Sequence, residues 1–198
     1  MADVSKIQIW NQALGYIGTR RVASDAENCE EARQCALYWD SARQQALRDF
    51  PFPWAQHRAM LAQKKLPDVW TADWRFAYGL PQSCLKVHRI GSASRRDLRA
   101  PFKMVHDPAG TVLILTDAET AFVDYTSDVE SPTLWDADFI HMLARKLAAM
   151  IAVPLLKNNS SKVSELEQLY RAAIPQAYQP AAQEQKSKPQ EDSWISCR

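Results

Sequence analysis

The apolar residues of this chain change period twice, and that limits the folds open to it. From Val4 to Phe50 they recur at helical spacing, from Trp74 to Thr126 many alternate, and after Ser131 helical spacing returns. Alternation inside a helical frame predicts an α+β chain in which a β segment is inserted between pairs of helices.

Four helices are predicted, over about residues 4–17, 24–50, 132–153 and 161–174, with a β insert over about 57–126. Ile7, Trp10, Leu14 and Ile17 mark one face of the first, with Asp3 or Ser5 to cap it and Gly18 to close it. Ser24 and Glu27 read as a capping box for the second, whose face runs through Ala32, Trp39, Ala42, Ala46 and Phe50. Pro51 stops it, because a residue before proline is pushed out of the α region. Ser131-Pro132 reads as a helix start, with Trp135 in the first turn, and Pro154 as a stop. Pro175 ends or kinks the fourth helix. Strands are expected at Trp74–Leu80, Leu85–Ile90 and Thr120–Thr126, with a hairpin joining Phe102–Val105 to Val112–Leu115 through Asp107–Gly110. The stretch Gly91–Ala100 (GSASRRDLRA) reads as an exposed basic loop.

From Gln179 the chain turns rich in Pro, Gln, Lys and Glu, a composition that favours disorder in isolation. Its end, DSWISCR, regains Trp194 and Ile195. An apolar tip beyond a polar segment reads as a docking peptide, since aromatic anchors carry much of an interface's energy.

Function classes narrow by what the sequence lacks. The net charge of +1 argues against a surface that tracks a polyanion throughout. Cys29, Cys35, Cys84 and Cys197 form no C-x-x-C pair and have no His at zinc-ligand spacing, so neither a zinc site nor a disulfide scaffold is expected, and a reducing compartment is. No basic n-region precedes an apolar segment at the N-terminus. No apolar run approaches the ~18 residues that span a bilayer, so a soluble chain made in the cytosol is expected. His57, His88, His106 and His141 are scattered, and no phosphate-binding, zincin or nucleophile-elbow motif occurs. No catalytic residue, metal or cofactor is therefore expected. Asp136 and Asp138 could serve acid–base work, but carboxylates at a helix start mostly favour its dipole. Arg20–Arg21, Lys64–Lys65 and Arg95–Arg96 are candidate phosphate contacts, Arg95 and Arg96 as channel or surface cations. In Phe50–Trp54 (FPFPW) the prolines fix an extended path, so Phe52 and Trp54 either fill the core or anchor a neighbouring subunit.

Four pieces of the sequence resemble the bacteriophage head-to-tail adaptor proteins, the tail tubular protein A-like family of short-tailed phages. IQIWNQALGYIGTRRVAS is similar to the family's first helix, with its N-x-A-L-x-x-I-G core at Asn11, Ala13, Leu14, Ile17 and Gly18. CEEARQCALYWDSARQQALRDFPFPWAQHRAMLA resembles its long second helix and aromatic exit, here F-P-F-P-W where a shorter F-P-W is the family form. FAYGLPQSCLKVHRI resembles its Y-x-L-P-x-x-C-L-x-V strand pair, and DSWISCR the aromatic-and-Arg end of some members.

The resemblance implies a mainly α form of the α+β class. Its expected parts are a four-helix bundle-like core in an adaptor domain over residues 1–178, a small antiparallel β insert, and an extended C-terminal docking arm over 179–198. It implies a structural virion protein, not an enzyme, at the head–tail junction and assembled in the host cytoplasm. A homo-oligomeric ring, dodecameric in the family, would sit below the portal protein, extend the DNA channel, help retain the packaged DNA and receive a downstream tail or nozzle protein. DNA would pass without sequence-specific binding, and no membrane is involved. Trp194, Ile195 and Arg198 match the portal-docking arm. Two other readings stand beside it. A virion-associated cell-wall hydrolase needs two carboxylates a few Å apart, and nothing selects a pair. A DNA-binding accessory protein would depend on Arg95 and Arg96.

Overall fold

A computed structural model describes residues 4–92, 95–157 and 159–184. The described residues form an α+β chain of four α-helices and two antiparallel sheets. They divide into a helical unit, residues 4–55 with 128–157 and 159–184, and a β unit, residues 56–92 with 95–127.

The helical unit holds α1 (Lys6–Ile17), α2 (Glu30–Asp49), α3 (Ala137–Leu156) and α4 (Ser160–Glu184). Helix α3 is its centre, packing against each of the other three, whereas α1 and α4 barely touch. That placement explains its composition. Mean hydropathy reaches 1.6 over α3, so by length and composition it could cross a membrane. The expectation that no stretch approached that limit is corrected on this point. Burial of Phe139, Leu143, Leu147 and Ile151 among three helices accounts for the apolarity.

The helix ends follow local chemistry. Ser5 and Gln8 form a complete capping box on α1. Gly18 closes it in the left-handed region at φ 85°, a conformation that favours glycine. The capping box expected at Ser24 and Glu27 does not start α2. Glu27 instead accepts the Ala23 N–H at 2.7 Å and pairs with Arg20, closing a turn. The helix begins at Glu30, with Glu30 and Glu31 favouring its dipole. Pro132 opens only one 3-10 turn, Pro132–Leu134. Trp135 is extended at φ −84°, ψ 139°, and α3 starts afresh from the Asp136 cap. Neither late proline ends its helix. Helix α3 runs past Pro154 to Leu156, and α4 past Pro175 to Glu184. Ala173 and Ala177 are both buried around Pro175, so side-chain packing outweighs the lost backbone bond. The arm expected from residue 179 therefore begins as helix.

In the β unit one sheet has the order β1-β8-β4-β5, from Gln56–Met60, Ala121–Ser127, Cys84–Ser92 and Arg95–Arg99. The other has the order β2-β3-β7-β6, from Gln63–Lys64, Phe76–Gly79, Val112–Thr116 and Phe102–His106. The single small sheet that was expected is thus two four-stranded sheets. Their shared core draws Tyr78 and Ile114 from one and Ile90, Val123 and Tyr125 from the other. Gly91–Ala100 is not a loop. Its described residues are mostly strand, the end of β4 and β5, with Gly91 opposite Arg99 and Ser92 opposite Arg95 across a register shift. The Asp107 hairpin forms as expected, with the Asp107 carboxylate accepting the Thr111 N–H at 2.8 Å.

Candidate functional site

The aromatic exit of α2 joins a chain of rings through the helical unit. Phe52 is 1% exposed, stacks on Trp54 at 5.6 Å and meets Phe139 edge-on at 5.1 Å. Phe139 meets Trp135 at 5.1 Å, Trp135 meets Trp39 at 6.0 Å, and Trp39 meets Trp10 at 6.3 Å. These separations are those of favourable aromatic pairs. Phe52 is thus core and is no candidate for a subunit contact. Trp54 keeps an accessible surface, and its indole N–H donates to Asp136 Oδ2 at 2.9 Å. The other Asp136 oxygen accepts the Phe139 N–H at 2.7 Å. Asp136 therefore ties the aromatic exit to the start of α3, while Asp138 stays exposed in that first turn.

A second tie holds the chain where it returns from the β unit. Arg43 and Gln44 of α2 both donate to the Asp128 carboxylate, Gln44 at 3.0 Å. Arg43 is 2% exposed, so its charge depends on its carboxylate partners, Asp128 and, at 3.2 Å, Asp40. The Trp135 indole N–H donates to the Val129 carbonyl at 3.1 Å. Asn11 does the same for the α1–α2 connection, donating to the Val22 carbonyl at 2.9 Å and accepting the Val22 N–H at 2.8 Å.

A polar cluster of the β unit lies on the face of its first sheet opposite the core residues Val123 and Tyr125. Arg58 on β1 and Arg89 on β4 both bind the carboxylate of Asp124, which sits between them on β8. Burial alone would raise the Asp124 pKa. Hydrogen bonds from the two arginines outweigh it and hold the carboxyl below its ordinary value. Both guanidiniums lie over the Phe122 ring, at 4.6 and 5.9 Å. That ring occupies the space a Cβ on residue 91 would need, so only glycine fits opposite it. Sequence reading missed this cluster because cross-strand register creates it. The alternation Phe122, Asp124, Thr126 within β8 was its one visible trace.

Among the described residues no group of three His, Cys, Asp or Glu could hold a metal ion. His88 bonds the Thr126 hydroxyl at 2.7 Å, and burial, then Lys86, lowers its pKa. Burial pushes the Cys35 thiol up to about 12, which removes it from thiolate chemistry. A groove of about 240 Å³ between α1, α3 and α4 is lined by Tyr16, Asp138, His141 and Arg145, with Gln176 on its α4 side. Arg95 and Arg96 lie on β5, on the hairpin beside the Asp124 cluster. Trp194, Ile195 and Arg198 lie outside the described residues. No protein-family model matches the chain, and no curated protein matches it.

Proposed function

We propose that this chain is a structural adaptor of the phage head–tail junction, forming a ring below a portal protein and presenting a platform to a tail or nozzle protein. The observation that carries the reading is what the N-x-A-L-x-x-I-G residues do. Asn11 clamps the loop to α2 through Val22, Ala13, Leu14 and Ile17 are buried, and Gly18 takes the left-handed cap. Each residue of the motif has a structural task and none a chemical one. The element order supports the reading too: two helices, an inserted β unit, two helices and a further C-terminal segment.

In this reading the helical unit is the bundle-like core of each subunit, and the segment beyond Glu184, with Trp194, Ile195 and Arg198, docks on the portal. A ring repeats each heterologous contact, so modest contacts suffice. DNA passes through the channel without its bases being read.

Truncation after Glu184 tests the docking assignment, because it leaves all of α4 in place. Cosedimentation with the portal protein of the same genome is expected to fall at least tenfold for the truncated chain. Equal cosedimentation of full-length and truncated chains overturns the assignment.

A further inference from the structure

Net charge is divided between the two units. Residues 56–127 carry ten Lys and Arg against seven Asp and Glu, whereas residues 1–55 with 128–185 carry eleven against fourteen. The near-neutral chain thus combines a basic β unit with an acidic helical unit.

Within the β unit the excess collects on one face. The register sets Arg58, Asp124 and Arg89 opposite one another across β1, β8 and β4. One pair along, Met60, Phe122, Gly91 and Arg99 stand opposite one another across all four strands. Three arginines from three strands therefore share a face with Asp124. Asp124 cannot neutralise both of its partners. It does fix their geometry, taking Arg58 through Nε and Nη2 and Arg89 through Nε. With Phe122 beneath them, both guanidiniums have already lost much of the freedom that binding would otherwise cost. The Arg58 side chain remains 59% exposed, so its remaining N–H groups face solvent. Arg99 is exposed as well.

We propose that this face binds the sugar–phosphate backbone of duplex DNA, without reading bases. At about 4.8 Å per strand, the face from Arg58 to Arg99 spans about 14 Å. Duplex DNA offers one charge per ~1.7 Å of axis, so several phosphates lie within that span. The forked N–H geometry of arginine suits phosphate oxygens. An acidic protein is the poorer match, because Met60, at 59% exposure, is among the described residues the one exposed large apolar side chain here, and a protein interface needs an apolar core. The proposal concerns the isolated chain and stands whether or not the chain forms a ring.

Fluorescence anisotropy of the full chain with a labelled 30-base-pair duplex, from 50 to 200 mM salt, is the test. Binding is expected to be independent of sequence and to weaken steeply with salt. Arg58→Ala and Arg99→Ala are each expected to weaken it about three- to tenfold at 50 mM salt and to lower the log–log salt slope by about one. Arg33→Ala, on the exposed surface of α2, is expected to change neither. No binding at 50 mM salt overturns the proposal, as does a loss no greater for Arg58→Ala and Arg99→Ala than for Arg33→Ala. Displacement by polyglutamate as effective as by unlabelled duplex also overturns it, pointing to an acidic protein partner instead.

Discussion

Arg43 in the helical unit and Arg58 in the β unit each bind an aspartate far away in the sequence, Asp128 and Asp124. The side chain of Arg43 is 3% exposed and that of Arg58 is 59% exposed. In the helical unit the charge is spent inside, fixing where the chain returns from the β unit. In the β unit the same chemistry is laid on a surface, where one carboxylate organises two arginines that keep donors to spare. One pairing thus serves cohesion in the first case and recognition in the second, and burial decides which.

The largest effect that should separate the units is loss of an aromatic side chain. Phe139→Ala removes a fully buried ring packed on Phe52, Trp54 and Trp135, and should cost about 3–5 kcal/mol. Phe102→Ala, on the partly exposed edge strand β6, should cost less than about 1 kcal/mol. Urea unfolding of the two variants checks the difference, and equal losses would break the contrast between a dense core and an open edge.

The arginines come next. Arg43→Ala leaves Asp128 without its charged partner and should cost about 2–3 kcal/mol. Arg58→Ala at the exposed pair should cost less than about 1 kcal/mol. If Arg58→Ala proved the more destabilising in urea unfolding, the Asp124 cluster would be a structural tie and not an available surface.

The smallest effect is in pH, and its sign differs between the units. Asp124 has a lowered folded pKa, so its contribution is present above the unfolded value near 3.9 and is lost as pH falls through the folded value. The Tyr170 hydroxyl donates to Asp49, and burial, then that bond, raises its pKa. Its contribution is present below the unfolded value near 10 and is lost as pH rises above it. Asp124→Asn should flatten the acid limb of stability against pH, and Tyr170→Phe the alkaline limb. Denaturant midpoints measured across pH check both, and crossed effects would break the assignment.

How much the sequence revealed follows the same division. The four helices and the Asp107 hairpin were legible because their signals are local. Their ends were less so, since Glu27 turned from cap to ion-pair partner and helix packing carried α4 past Pro175. Phe52 could have belonged to core or interface, and only the position of Phe139 on another helix assigns it to the core. In the β unit β3 was visible as alternation, and β4, β6, β7 and β8 as short strand candidates. Their division between two sheets was not, because pairing such as Arg58 with Asp124 is non-local. The basic stretch at Arg95–Arg99 drew attention to the right hairpin, yet the arginines that Asp124 organises lie on other strands.

The measurement that bears most directly on the adaptor reading is the mass of the purified full-length chain in solution, alone and mixed with the portal protein of the same genome. A ring of many copies, formed alone or only on the portal, is the predicted result and would supply the symmetry. A chain that stays monomeric in both samples and leaves the portal's mass unchanged would contradict it.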